Sequence, residues 1–221
     1  FANQGNDDVA VWNGDDPEML IAYDRDHCLD CGTKRSIGTE EAPCTGAPLT
    51  ATWAHTYTKR RFDIHTCTPE DVDITDIAHS MAMQCRYNGH TTSFYSVAEH
   101  CVRMSEAVDP ENALWALLHD ATEAYVGDVV RPVKRLLPEF TRIEDSIMAV
   151  IAEKYGLDPE MPAQVKEFDT RICLNERRAL LAGGERWEID DLEPLNVDIV
   201  AWDPRTAENQ YLARFHQLVT H

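Results

Sequence analysis

A chain of 221 residues, 43% of them hydrophobic and five of them tryptophan, can bury the core of one domain, with or without an appendage. Its 20 Lys+Arg against 39 Asp+Glu leave a formal charge of −19, which repels both a nucleic-acid polymer and an anionic membrane, although a small anion can still enter a pocket that is locally positive or holds metal. No apolar run approaches a membrane span, the first residues FANQGNDDVAVWNGDD carry no secretory pattern, and seven cysteines, an odd number, favour reduced thiols over a disulfide framework, so a cytoplasmic protein is expected.

Residues 1 to 56 are rich in Asp, Gly, Thr and Pro with weak periodicity, and read as an irregular extension with one short helix at 17–23. Within it, Cys28 and Cys31 stand two residues apart, Gly32 permits the tight turn of a metal knuckle, and Cys44 follows a longer loop. These three are candidate ligands of a structural zinc, with His27, His55 or Cys67 as the fourth; the competing assignment is ordinary reduced thiols.

From residue 57 to 221 the pattern becomes helical. Ile74, Ile77, Ala78 and Met81 recur on one face of 72–85, and a second helix is predicted over 96–108. Asp109-Pro110 supplies an N-cap and a first-turn proline, after which Leu114, Leu117, Leu118, Ala121, Ala124 and Tyr125 form one apolar stripe, predicting a single helix to Tyr125. Further helices are predicted from Leu137-Pro138 to Gly156, from Ala163 to Ala182, and from Thr206 to Val219. With no alternating strand after residue 70, the main domain is expected to be all-α.

The predicted central helix carries an unexpected load. His119 and Asp120 lie on it, and Glu123 follows His119 by four residues, hence on the same face. A carboxylate on a core-facing helix costs several kcal/mol unless it is paired or binds a cation. His100 on the preceding helix and Asp169 on a later one complete two histidines and two aspartates, a suitable ligand set for a divalent transition metal such as Co, Mn, Zn, Fe or Ni. Glu123 and Asp128 remain as oxygen donors, either for a second, Mg-type ion or for a water deprotonated near neutral pH.

Three stretches, HSMAMQCRYNGHTTSFYSVAEHC (79–101), ALWALLHDATEAYVGDVVRPVKRLLPEF (113–140) and the later EFDTR, together resemble the HD-domain metal-dependent phosphohydrolases, especially the bacterial 5'-deoxynucleotidases and the phage proteins that include dATP triphosphohydrolases. The resemblance spans roughly residues 56 to 219. It implies an HD helical bundle, a primary metal on His100, His119, Asp120 and Asp169, and a catalytic group of Glu123 and Asp128. It also implies a homo-oligomer in a bacterial or phage-infected cell, and a small deoxynucleotide as substrate. Either a dNTP is cleaved to deoxynucleoside and triphosphate, or a dNMP loses its only phosphate. The alternative is a catalytically silent regulatory protein that binds a nucleotide. The amino-terminal extension departs from the compact family.

Beside the metal, Arg86 offers a planar fork for phosphate oxygens and Lys134 a movable point charge. His90 is a candidate either to hydrogen-bond a phosphate or to donate a proton to the leaving oxygen, with Arg131 as a further electrostatic candidate. Tyr87, Phe94 and Tyr95 have the shape to stack on a base but at this spacing more often belong to a core. Cys85, Cys101 and Cys173 are expected in helices as buried apolar residues.

Overall fold

The computed structural model describes residues 52–181 and 183–220. The chain divides into two units, Phe1–Ala51 and Thr52–His221, and the described residues belong to the second. The predicted helix at 17–23 and the cysteine trio Cys28, Cys31 and Cys44 lie outside the described residues.

The described residues are mostly helical, with one antiparallel hairpin ahead of the helices. Strands β1 (Trp53–His55) and β2 (Arg61–Asp63) pair with Ala54 opposite Phe62. Phe62 is the one strand residue that is buried, and its ring stacks on Tyr125 at 3.7 Å; with Tyr57 stacked on His79 at 3.6 Å and Thr58 N–H donating to Asp76 at 2.6 Å, it fastens the hairpin to the helical body.

Except over 110–126 and in a short unpredicted helix at Arg131–Lys134, the helices form within two residues of where the periodicity places them. They are α1 (Ile74–Met83), α2 (Val97–Ala107), α3 (Ala113–Leu118), α4 (Glu123–Val126), α5 (Arg131–Lys134), α6 (Pro138–Tyr155), α7 (Ala163–Leu180) and α8 (Pro204–Val219). Their ends obey capping chemistry. Asp73, Ser96 and Asp203 accept backbone N–H groups at the starts of α1, α2 and α8, and Gly156, in the left-handed region at φ 66°, closes α6. Helix α2 lies at the centre, packed against α1, α3, α7 and α8. Ile77, Met81, Val102, Leu117, Ile147, Ile151 and Tyr211 fill the main core, each large side chain contributing about 1.5–3 kcal/mol by leaving water.

The predicted single helix over 110–125 is a correction. A 3₁₀ turn occupies Pro110–Asn112, α3 stops at Leu118, and α4 resumes at Glu123. The backbone stays right-handed between them, but its bonds tighten: Ala121 N–H donates to Leu118 and Glu123 N–H to Asp120, each at 2.9 Å. The cause is local. His119 Nδ1 takes the Ala116 carbonyl at 2.8 Å, an acceptor that an uninterrupted α-helical ladder would offer to the N–H of Asp120. The apolar stripe was also too narrow, because Trp115 and Ala116 are buried while Leu114 is half-buried. Helix α3 is enclosed on a second side by a smaller core with Met104, Val165 and Ile172. Cys85 is corrected as well: it lies beyond the end of α1, half-buried, in a bridge to Ser96.

Candidate metal centre

Three parts of the fold converge on one point. Helix α2 supplies His100, the tightened turn after α3 supplies His119 and Asp120, and α7 supplies Asp169. His100 Nε2 lies 3.2 Å from His119 Nε2, 3.6 Å from Asp120 Oδ2 and 3.4 Å from Asp169 Oδ1. His119 Nε2 lies 3.3 Å from Asp120 Oδ2 and 3.8 Å from Asp169 Oδ1. All four residues predicted as ligands are therefore brought together.

The donor set fits a divalent cation for a reason visible in the rings themselves. His100 Nδ1 donates to Glu176 Oε1 at 2.6 Å, and His119 Nδ1 donates to the Ala116 carbonyl at 2.8 Å. With each Nδ1–H pointing outward, a neutral ring turns its Nε2 lone pair inward, toward the other lone pair and toward two carboxylate oxygens. Four electron-pair donors cannot crowd one point without positive charge among them, and two imidazoles with two carboxylates suit a transition metal. Without an ion, the same demand falls on a proton: burial opposes the charged form of His119, but Asp120, Cys101 and Asp169 around it together outweigh burial and raise its pKa well above the usual value. Burial also opposes the Asp169 and Asp120 carboxylates, yet the two histidines hold both below the ordinary carboxylate range. Cys101, with His119 and Asp120, forms a second, overlapping group of possible ligands. Its Sγ lies 3.8 Å from His119 Nδ1, the ring atom facing away from the centre, and burial pushes its thiol up to about 11.

The two predicted oxygen donors sit beside this cluster. Glu123 is 5% exposed and its Oε2 has no hydrogen-bond partner, an orphaned carboxylate oxygen in the interior. Burial, then Asp120 and Asp128, push its pKa well above the usual value, and burial raises that of Asp128 too. Gln84 holds the turn that carries both: its amide N–H donates to the Glu123 carbonyl at 2.9 Å and its oxygen accepts from Asp128 N–H at 2.9 Å. The intervening Gly127, at φ 86°, permits the reversal between them.

Among the cations, Arg86 is drawn furthest in. Its Nη1 donates to Asp120 and its Nη2 to Glu176, both at 3.4 Å, while its buried Nε–H has no partner. Arg131, 54% exposed, donates to Asp169 Oδ2 at 2.5 Å. Lys134 pairs with Glu144 at 2.7 Å within electrostatic reach of Glu123 and Asp120. His90 is not brought in: it is exposed after the 3₁₀ turn Tyr87–Gly89, and among the described residues no hydrogen bond links its ring to the cluster. Of the aromatics, Tyr95 is fully buried, where burial and then Glu176 raise its pKa, Phe94 is half-buried, and Tyr87 donates its O–H to Glu176.

Glu176 and Gln84 were missed. Glu176 had a signal: it follows Asp169 by two helical turns, on the same face of α7. Gln84, at the C-cap of α1, had none, since its partners are backbone groups distant in sequence.

Among proteins of known sequence, the chain is 41% identical over 166 residues to the uncharacterized protein YfdR of Escherichia coli, covering 74% of this chain and 93% of that protein. The chain belongs to the YfdR family. It is also 37% identical over 124 residues to the uncharacterized protein RCAP_rcc00048 of Rhodobacter capsulatus, covering 52% of this chain and 63% of that protein. No protein-family model matches the chain. Among the described residues, no helix is long and apolar enough to cross a membrane.

Proposed function

We propose that this YfdR-family chain is an HD-type, divalent-metal-dependent phosphohydrolase acting on small 2'-deoxynucleotides. The observation that carries the proposal is the meeting of His100 Nε2, His119 Nε2, Asp120 and Asp169 beside a buried carboxylate, Glu123, whose free oxygen has no partner. When bound, the ion supplies Lewis-acid chemistry and lowers the pKa of water toward neutrality. Glu123, with its raised pKa, is suited to exchange a proton with that water and then with the departing 5'-oxygen. Asp128 stands behind it as a second carboxylate.

Substrate charge follows from the cations. In a chain of formal charge −19, Arg86, Arg131 and Lys134 gather at this one place, which suits an anion of phosphate type. The unpaired Nε–H of Arg86 is a donor in waiting. In hydrolysis, water oxygen bonds to phosphorus, the P–O5' bond breaks, and the deoxynucleoside leaves as the alcohol. A dNTP then yields triphosphate and a dNMP yields phosphate.

The test is a panel of dNMPs and dNTPs with added Co²⁺ or Mn²⁺, the products identified by chromatography. Release of phosphate or triphosphate that EDTA abolishes is the expected result. An inert panel from protein that retains bound metal would replace the hydrolase with a nucleotide-binding regulator.

A further inference from the structure

Behind the metal ligands lies a carboxylate that the proposed chemistry does not use. Glu176 is 0% exposed, on the seventh residue after Asp169 along α7. Its Oε1 accepts from His100 Nδ1 at 2.6 Å, and its Oε2 accepts from Tyr87 O–H at 2.5 Å and from Arg86 Nη2 at 3.4 Å. Arg86 in turn donates to Asp120, which lies 3.6 Å from His100 Nε2. Four residues from four stretches of chain thus close a ring: His100, Glu176, Arg86, Asp120.

We propose that Glu176 is the positioning residue of the metal centre, fixing the tautomer and ring orientation of His100 while anchoring the turn that presents Arg86. The proposal rests on the metal-centre assignment above. A buried ion pair needs only Glu176 and Arg86, but here one whole carboxylate oxygen is committed to imidazole Nδ1. That bond keeps the proton on Nδ1 and leaves Nε2 free to face Asp169 and His119. The other oxygen secures a strained turn. Tyr87 and Asn88 adopt φ of 57° and 52°, a left-handed conformation costing on the order of 1–3 kcal/mol per strained residue, held where Tyr87 O–H meets Glu176. Arg86, next in sequence, is placed by the same carboxylate. Ligand geometry and cation placement therefore share one determinant.

The experiment is a Co²⁺ titration of the metal-free full chain by calorimetry and by the visible spectrum of bound Co²⁺, for the wild type, Glu176→Gln and Tyr87→Phe, each checked for folding by its melt in EDTA. Glu176→Gln should bind Co²⁺ about 10–100-fold more weakly with an altered spectrum, the usual size of an outer-layer loss. Tyr87→Phe, which leaves the His100 contact in place, should stay within about threefold of the wild type. Equal affinity and an identical spectrum in Glu176→Gln would overturn the proposal while leaving the metal centre standing, as would equal weakening by Tyr87→Phe. A wild type that takes up no Co²⁺ would remove both. Should Glu176→Gln not fold, long-range ¹H–¹⁵N correlation on the metal-free wild type decides: a protonated His100 Nδ1 is required, and protonation at Nε2 alone overturns the assignment.

Discussion

On the inner side of the metal centre, His100, His119, Glu176 and Arg86 are held by partners inside the fold, and the two histidines and Glu176 are buried. On the outer side, Arg131 is 54% exposed and Lys134 29% exposed, each tied to a single carboxylate. Partners inside the core cannot exchange for water, so the inner geometry is set by folding. The outer pairs compete with solvent at little cost and can release a cation to an arriving anion. The site therefore combines a preorganised ligand set with an adjustable rim.

The sharpest way to break this contrast is to remove an inner ligand. Asp120→Ala should lose Co²⁺ affinity by more than about 100-fold, beyond the range of outer-layer losses, and turnover with it. Metal analysis after dialysis reads the first and product chromatography the second. Glu123→Gln tests a different inner role. It should lower kcat by about 10²–10⁴, the scale of general acid–base catalysis, while metal content stays near that of the wild type. Matching metal content and turnover in the two variants would show that no division of labour exists.

The rim should respond weakly. Arg131→Ala removes an exposed pair worth at most about 1 kcal/mol, so Co²⁺ affinity should change by less than about fivefold. A loss as large as that from Asp120→Ala would place Arg131 among the structural supports and erase the distinction between the walls.

How much of this was legible in the sequence follows the same division. The need to compensate His119 and Glu123 on one predicted helical face drew attention to the centre, while the full ligand set of His100, His119, Asp120 and Asp169 is what the likeness to the HD-domain phosphohydrolases implied. Most helices showed through their periodicity, and so did the ends marked by Pro138 and Gly156, whereas the last helix begins at Pro204 behind its Asp203 cap, two residues ahead of the expected Thr206. Most of what stayed hidden depends on partners far along the chain. Gln84 serves backbone groups of residues 123 and 128, whereas the break after Leu118 is local, with His119 capturing the Ala116 carbonyl, and stayed hidden because apolar periodicity carries no sign of it. Glu99 is a parallel case away from the site: buried on α2, it accepts the N–H groups of Val200, Ala201 and Trp202 at 2.9, 3.2 and 2.6 Å, yet in sequence it is one acidic residue in a helix. Arg86 was foreseen as a phosphate clamp, but its embrace of Asp120 and Glu176 requires three segments to meet.

The smallest expected effect concerns stability, and its sign separates a buried carboxyl from a paired one. Burial, then Asp120 and Asp128, hold the Glu123 pKa well above its usual value. In the metal-free protein, as pH rises through about 4.3, the unfolded chain releases this proton while the folded chain keeps it. The native state then binds more protons than the unfolded state, so stability falls with rising pH until the folded pKa is passed, and the deficit persists above it. Glutamine in place of Glu123 cannot ionise and escapes this loss. Glu123→Gln should therefore melt together with the wild type near pH 4 and above it at neutral pH. Bound metal should shrink the gap, because a nearby divalent cation favours the ionised carboxylate. A gap independent of pH would mean that Glu123 is solvated or paired in the folded protein, and would take from it the proton-exchanging role.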